Sequence, residues 1–139
     1  MTNITVDYPT FSEARKDLKR VYDVSESGRT VTLGRDNYVA AVVNAERLRD
    51  FFSRTVSPRV QAQFEDGVWV AYMEGRPFVS EGSTLAEAVA DLVASLREYS
   101  EDWEDRLQTA PNHAGNWGLV QLVHLSSDDQ LTDWMNAAQ

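Results

Sequence analysis

The chain has 139 residues, of which 42% are hydrophobic and 25% are charged, and it contains no cysteine. This composition is enough for one medium domain or two small ones with packed cores, and it excludes disulfides and thiolate metal sites. No apolar run approaches the length of a membrane span and no secretory signal pattern begins the chain, so the sequence predicts a cytoplasmic protein without a membrane partner.

The first predicted elements are a β-prone run at residues 4–6 and a helix. Thr10 and Glu13 have capping-box spacing, so the helix should begin there and end near Gly28. Its predicted apolar face consists of Phe11, Ala14, Leu18, Val21 and Tyr22.

A β-hairpin should follow, with strands at residues 30–33 and 38–43 around a turn at 34–37. The Val-Ala-Ala-Val-Val run of the second strand indicates burial on both faces. Asn44 is the expected N-cap of a second helix near residues 45–55. The inner side of that helix is predicted to contain Ala45, Leu48, Phe51 and Phe52.

Ser57-Pro58 marks a boundary, after which a second hairpin is predicted. Its strands at residues 60–64 and 68–73 flank a Glu-Asp-Gly turn, and residues 78–79 form a brief extended piece. Thr84 and Glu87 repeat the capping-box spacing and begin a helix of about four turns. The predicted apolar face of this helix consists of Leu85, Ala88, Val89, Leu92, Leu96 and Tyr99.

The acidic run at residues 101–105 should continue this helix, and Pro111 and Gly115 then break the chain. Residues 117–125 favour a further helix, and Ser127 is the expected cap of a final helix. The apolar residues of the final helix are Leu131, Trp134 and Met135.

The net charge of −9 is divided unevenly between the two parts of the chain. Residues 1–60 carry ten Lys/Arg and eight Asp/Glu, a net charge of +2, whereas residues 61–139 carry three Lys/Arg and fourteen Asp/Glu, a net charge of −11. A mildly basic part suits the phosphates of nucleic acid, and a strongly acidic part suits a basic protein. The alternative is that the acidic residues only keep the chain soluble.

Three segments within the first 55 residues resemble the DNA-binding domain of the Phd/YefM antitoxins. They are FSEARKDL at 11–18, TVTLGRDNYVAAVV at 30–43 and AERLRDFF at 45–52. In that family, an SEAR-like helix start precedes a hairpin with an Arg-containing turn, an AAV-type strand and a short helix. The resemblance implies a β-α-β-β-α domain that forms a homodimer or a higher even-numbered oligomer, binds palindromic operator DNA and represses its own operon.

By this resemblance, Arg15 and Arg35 match the DNA-contacting arginines of the family. An Arg guanidinium is a planar fork of donors that suits a phosphate or a guanine edge. The predicted DNA-binding set is Arg15, Lys16, Lys19, Arg35 and Asn37. For Arg15 and Lys19, the alternative is a solvated helix face with i,i+4 ion pairs.

Residues 60–99 are also similar to HicB-like antitoxin domains, through their acid-Gly turn, their aromatic strand and the Ser-Glu-Gly-Ser-Thr stretch that begins the helix. This similarity implies a small β-β-α unit on which a toxin docks. We therefore expect an α+β fold with a Phd/YefM-like domain at 1–56, a HicB-like domain at 59–108 and a helical segment at 109–139. The last segment is either a helical cap or a toxin contact.

The acidic helix end is the predicted toxin contact. RNA-cleaving toxins are usually basic because their substrate is RNA, so exposed carboxylates would complement them. The predicted toxin-binding set is Glu98, Glu101, Asp102, Trp103 and Asp105, with Trp103 as an aromatic anchor. The alternative is a solvated helix end with Trp103 folded into the core.

No motif in the sequence indicates catalysis, a cofactor or a metal. His113 and His124 are eleven residues apart without a third ligand at a metal-binding spacing, so one is expected at the surface and the other half-buried. No P-loop or GxSxG motif occurs.

The leading hypothesis is a non-enzymatic type II antitoxin that represses its operon and neutralises a basic RNA-cleaving toxin. The alternatives are a stand-alone transcriptional regulator with a ligand- or protein-binding second domain, and a protein-binding module without DNA contact.

Overall fold

A computed structural model describes residues 4–137 and shows a mixed α+β protein. Its chain divides into two compact units, Met1–Asp50 and Phe51–Gln139. The elements in chain order are α1 (Phe11–Lys16), α2 (Leu18–Glu26), β1 (Val31–Arg35), β2 (Tyr38–Val42), α3 (Ala45–Thr55), β3 (Val60–Glu65), β4 (Val68–Met73), β5 (Val79–Gly82), α4 (Leu85–Asp102), α5 (Trp117–Leu125) and α6 (Asp128–Ala137).

The first unit is an antiparallel two-stranded sheet with two helices packed against it. β1 and β2 pair with Val31 opposite Val42 and Arg35 opposite Tyr38, and both α1 and α2 contact β1. Among the described residues of this unit, the buried apolar side chains are Ala14, Val21 and Val31. The hydrophobic core of the first unit is therefore small.

The predicted first strand is wrong. Residues 4–6 are irregular, and a single parallel bridge joins Tyr8 to Leu33. Backbone hydrogen bonds join the segment to β1 at Tyr8, whose N–H donates to the carbonyl of Thr32 and whose carbonyl accepts the N–H of Gly34. Before Tyr8, the Thr32 hydroxyl donates to the carbonyl of Thr5 at 2.6 Å and accepts the N–H of Asp7 at 2.9 Å. The described part of the domain thus begins with an extended segment held by polar contacts.

The predicted single first helix is also wrong, although its start is confirmed. The Thr10 hydroxyl accepts the N–H of Glu13 at 3.2 Å. The helix then breaks at Asp17, whose φ is −108° and whose N–H donates to the carbonyl of Ala14. The Tyr8 hydroxyl donates to the Asp17 carboxylate at 2.9 Å, which ties this break to the N-terminal segment.

The expected burial of β2 on both faces is wrong as well. Ala41 is exposed, Tyr38 is 63% exposed, and the other residues of the strand are half-buried. The Val- and Ala-rich sequence is typical of a central strand, but the structure pairs β2 with β1 alone. Without a third strand, apolar side chains of this hairpin stay in contact with solvent.

Helix α3 begins as predicted, because Asn44 Oδ1 accepts the N–H of Arg47 at 3.1 Å. Its predicted inner side is only partly correct. Phe52 is buried, whereas Phe51 is 57% exposed and Ala45 is also exposed. Consecutive helix residues point about 100° apart, so the adjacent phenylalanines cannot both face one core.

The second unit contains a three-stranded antiparallel sheet in the order β3-β4-β5. The predicted hairpin is confirmed, and Asp66 and Gly67 both adopt the positive φ of a tight hairpin turn, at 51° and 82°. α4 packs against β4 and β5, and α5 and α6 pack against α4. The helices thereby cover β4 and β5, whereas β3 is largely exposed at the edge of the sheet.

The capping box of α4 is confirmed in a modified form. The Thr84 hydroxyl accepts the N–H of Glu87 at 3.1 Å, while the Glu87 carboxylate accepts the N–H and the hydroxyl of Ser83. These hydrogen bonds lower the pKa of Glu87. Leu85 is 41% exposed, so the apolar face of α4 begins one turn later than predicted.

The core of the second unit lies between α4, the sheet and the two C-terminal helices. Both C-terminal helices occur where predicted, and Ser127 caps α6 by accepting the N–H of Gln130 at 3.2 Å. Buried apolar residues of this core are Ala71, Met73, Phe78, Ala88, Val89, Leu92, Val93, Leu96, Tyr99, Trp103, Leu119, Val120, Leu122, Val123, Leu131, Trp134 and Met135.

Candidate functional site

The predicted DNA-binding residues of the first unit are all exposed to solvent. Arg15 and Lys16 lie in the last turn of α1, and Arg35 ends β1. None of these three cations forms an ion pair with another described residue. Exposed cations without a carboxylate partner remain available to an anionic ligand.

Lys16 and Lys19 line one open groove of about 480 Å³ on the helical face of the first unit. Arg20 lines it too, and sequence reasoning missed this residue because it lies outside the SEAR-like segment. Lys19 forms an i,i+4 ion pair with Asp23 at 2.7 Å, as expected if this helix face is solvated and does not bind DNA. An exposed pair of this kind contributes little to stability, so Lys19 can exchange its partner.

Arg35 and Asn37 belong to the hairpin turn and do not line this groove. Asp36 between them has a φ of 53°, a left-handed conformation that Asp tolerates better than most residues. The tight turn brings Arg35 opposite Tyr38, and both are exposed. The hairpin therefore presents a guanidinium and an aromatic ring at its tip.

Four members of the predicted toxin-binding set share one face of the second unit. Glu98, Glu101, Asp102 and Asp105 are exposed and follow the i, i+3, i+4, i+7 spacing of a helix face. α4 ends at Asp102 and continues as a π-helical turn, Trp103–Leu107. Arg106 lies 3.8 Å from Asp102, a loose exposed pair that leaves this acidic face strongly negative.

Trp103 is not part of the exposed acidic face. Its side chain is buried, and its indole N–H donates to the carbonyl of His113 at 2.8 Å. The structure thus shows the alternative in which Trp103 belongs to the core. The tryptophan anchors the π-helical turn from within and so positions the acidic residues on either side of it.

The two histidines have the environments predicted for them. His113 is half-buried with Nδ1 2.9 Å from the Tyr99 hydroxyl, and His124 is exposed. Within residues 4–137, no group of three or more His, Asp or Glu side chains could hold a metal ion. No helix in this described range is long and apolar enough to cross a membrane.

Comparison with known families places the chain among the antitoxins of toxin–antitoxin systems. A model of the PHD-like family, described as the antitoxin of the RelE/RelB toxin–antitoxin system, matches residues 6–134, and the chain belongs to this family. An antitoxin has a cognate toxin as its partner. The narrower resemblances to Phd/YefM and HicB-like antitoxins stay predictions.

A solved structure is also similar to this chain. It is the crystal structure at 1.80 Å of an antitoxin part of a candidate toxin/antitoxin system from Syntrophomonas wolfei subsp. wolfei, with a TM-score of 0.76 at 20% identity. The similarity covers 89% of this chain and 92% of that chain, so the two proteins share a fold. No curated protein matches the sequence.

Proposed function

We propose that this antitoxin binds operator DNA through its first unit, represses its own operon, and neutralises its toxin through the acidic face of its second unit. The observation that carries the DNA-binding part is the exposure of Arg15, Lys16 and Arg35 without a carboxylate partner among the described residues. Guanidinium and ammonium groups of this kind provide the phosphate contacts that position a protein on DNA.

Dimer formation through the first unit belongs to this proposal. Three large side chains of its helices are exposed, namely Phe11 at 60%, Leu18 at 49% and Tyr22 at 62%. The unit has few buried apolar residues of its own, so covering these side chains with a second copy would add to a small core. A two-fold dimer would also double the number of DNA contacts.

The DNA-binding part is tested with the DNA upstream of the antitoxin gene. We expect the double variant Arg15→Ala/Arg35→Ala to bind this fragment at least about tenfold more weakly than the wild type, because each arginine–DNA interaction is worth about 1–3 kcal/mol. The dependence of log K on log salt should also become shallower by about one for each phosphate that is no longer neutralised. Electrophoretic mobility shifts at two salt concentrations measure both quantities.

Arg106→Ala is the matched control, since Arg106 is also an exposed arginine but lies in the acidic second unit. It should leave DNA binding unchanged. Wild-type affinity in the double variant would disprove the assigned DNA-binding face. If the wild-type protein does not bind its upstream DNA at low salt, the proposal of DNA binding is wrong.

The toxin-binding part is supported by the acidic face itself. Its carboxylates complement a basic RNA-cleaving toxin, and charge complementarity of this kind accelerates association. The double variant Glu101→Lys/Asp105→Lys should fail to rescue cells that express the toxin encoded by the neighbouring reading frame. Glu65→Lys, at an exposed acidic position in a hairpin of the same unit, should still rescue them. Full rescue by the double variant would show that the toxin binds to another part of the chain.

A further inference from the structure

A second cavity lies wholly within the second unit and outside both surfaces of the proposed function. It has a volume of about 370 Å³ and lies between the end of α3, the turn after β4 and the start of α5. This volume is at the lower end of the range of small-molecule sites. Its polar side chains include Arg59, Arg76, Asn112, His113 and Asn116.

The charge of this cavity is opposite to that of the unit around it. Residues 51–139 contain fourteen Asp/Glu and five Lys/Arg, yet no Asp or Glu is among the described residues that line the cavity. Two arginines do line it, and neither forms an ion pair with a described residue. Arginines placed close together without a counter-ion repel each other, so an anion between them would stabilise the arrangement.

The Arg76 guanidinium is held by the backbone, and the Arg59 guanidinium lies close to Gly75 beside it. Arg76 is half-buried and donates from Nη1 to the carbonyl of Pro58 at 3.3 Å. Arg59 Nη1 lies 3.4 Å from where a Cβ would stand on Gly75, which has a φ of 77°. Burial and the nearby Arg59 charge lower the pKa of Arg76, which agrees with an uncompensated cation.

Arg97 is an arginine of the same unit whose guanidinium is bound by protein groups, and it serves as a comparison. Its guanidinium donates to the carbonyls of Val123 and Ser126 and to the carboxylate of Asp128, at 2.7 to 3.0 Å. Arg76 donates to a single carbonyl and has further N–H donors beyond that one. The Arg76 guanidinium therefore keeps donors available for a ligand in the cavity.

We infer that this cavity binds a small phosphate-bearing anion between the guanidinium groups of Arg59 and Arg76. Arginine forks bind phosphate oxygens in pairs, which gives both strength and orientation. The Asn112 side chain, which also lines the cavity, offers an amide donor and acceptor to the remainder of a phosphorylated molecule, whereas His113 Nδ1 and Asn116 Nδ2 are hydrogen-bonded to the Tyr99 hydroxyl. Both free phosphate and a phosphomonoester contain the phosphate group that the two arginines would bind.

The test is titration of the full-length protein with inorganic phosphate, with glycerol 3-phosphate and with sodium chloride at equal ionic strength, followed by calorimetry and amide NMR. We expect either phosphate compound to bind with a Kd below about 1 mM and chloride not to bind. Amide shifts should centre on Gly75, Gly115 and Gly118, which line the cavity. Tighter binding of glycerol 3-phosphate would identify an organic phosphate as the ligand, and equal binding would identify the free ion.

Arg59→Ala and Arg76→Gln should each weaken phosphate binding at least about tenfold, which is the loss of one charged hydrogen bond. Arg59 is exposed, so its variant keeps the test valid if Arg76→Gln does not fold. Arg106→Ala should bind phosphate like the wild type. Absence of phosphate binding in the wild type, or equal weakening in Arg59→Ala and Arg106→Ala, would overturn the inference.

Discussion

Asp7 and Thr32 join the N-terminal segment to strand β1 through a reciprocal set of hydrogen bonds. The Asp7 carboxylate accepts the backbone N–H of Thr32 at 2.9 Å, and the Asp7 N–H donates to the Thr32 hydroxyl at the same distance. Arg29 adds an ion pair with Asp7 at 3.1 Å. The backbone hydrogen bond from Thr32 is the main cause that lowers the pKa of Asp7 below its ordinary value of 3.8.

The lowered pKa of Asp7 predicts an acid-sensitive first unit. Since the pKa of this carboxyl is lower in the folded than in the unfolded chain, its ionised form stabilises the fold above pH 3.8. That contribution is lost as the pH falls below 3.8 through the folded value. The protection of the Thr32 amide against hydrogen exchange should therefore fall with acid in the wild type and vary less in Asp7→Asn. Glu26→Gln, at an exposed position, should behave like the wild type; identical pH profiles for all three proteins would contradict the prediction.

Gly82 should not tolerate a side chain. A Cβ at this position would clash with the backbone N of Ala88 and would lie 2.7 Å from Glu87 Cβ, at the start of α4. Gly82→Ala should lower the free energy of unfolding by about 1–3 kcal/mol, because the strand and the helix must move apart. Urea unfolding measures this change. Gly115→Ala is the control, since a Cβ there meets nothing within 4 Å and should have little effect.

Arg97→Ala should destabilise the second unit. The substitution leaves the carbonyls of Val123 and Ser126 without the guanidinium at the junction of α5 and α6. Loss of charged hydrogen bonds to partly buried groups costs about 1.5–3 kcal/mol. Arg106→Ala removes only the loose exposed pair with Asp102 and should change stability by less than about 1 kcal/mol. Equal midpoints of urea unfolding for both variants would refute this role of Arg97.

The exposed apolar side chains of α1 and α2 predict the oligomeric state. Leu18→Glu/Tyr22→Glu should shift the proposed dimer toward the monomer, because two carboxylates would be buried at the contact. Sedimentation velocity measures this shift. Tyr38→Glu changes an exposed aromatic residue on the hairpin, outside these helices, and is the control for surface charge. An unchanged sedimentation coefficient in the double variant would show that these side chains of α1 and α2 do not form the dimer contact.

Local signals in the sequence predicted most of the helix starts and the turns. The caps at Thr10, Asn44, Thr84 and Ser127 each accept the N–H three residues on, and the Asp66-Gly67 turn joins its hairpin as expected. These features depend on residues close together in the chain, and their geometry follows from backbone chemistry alone.

Contacts between distant residues decided the rest. At the break in the first helix, the Asp17 carboxylate accepts a hydrogen bond from the Tyr8 hydroxyl. β2 is exposed because its sheet has only two strands. The buried Trp103 donates its indole N–H to the His113 carbonyl. Arg59 and Arg76 likewise meet at one cavity because the antiparallel pairing of β3 with β4 brings Val60 opposite Met73. Periodicity identifies which residues are apolar or charged, but only tertiary packing determines what faces them, because most of those partners are distant along the chain.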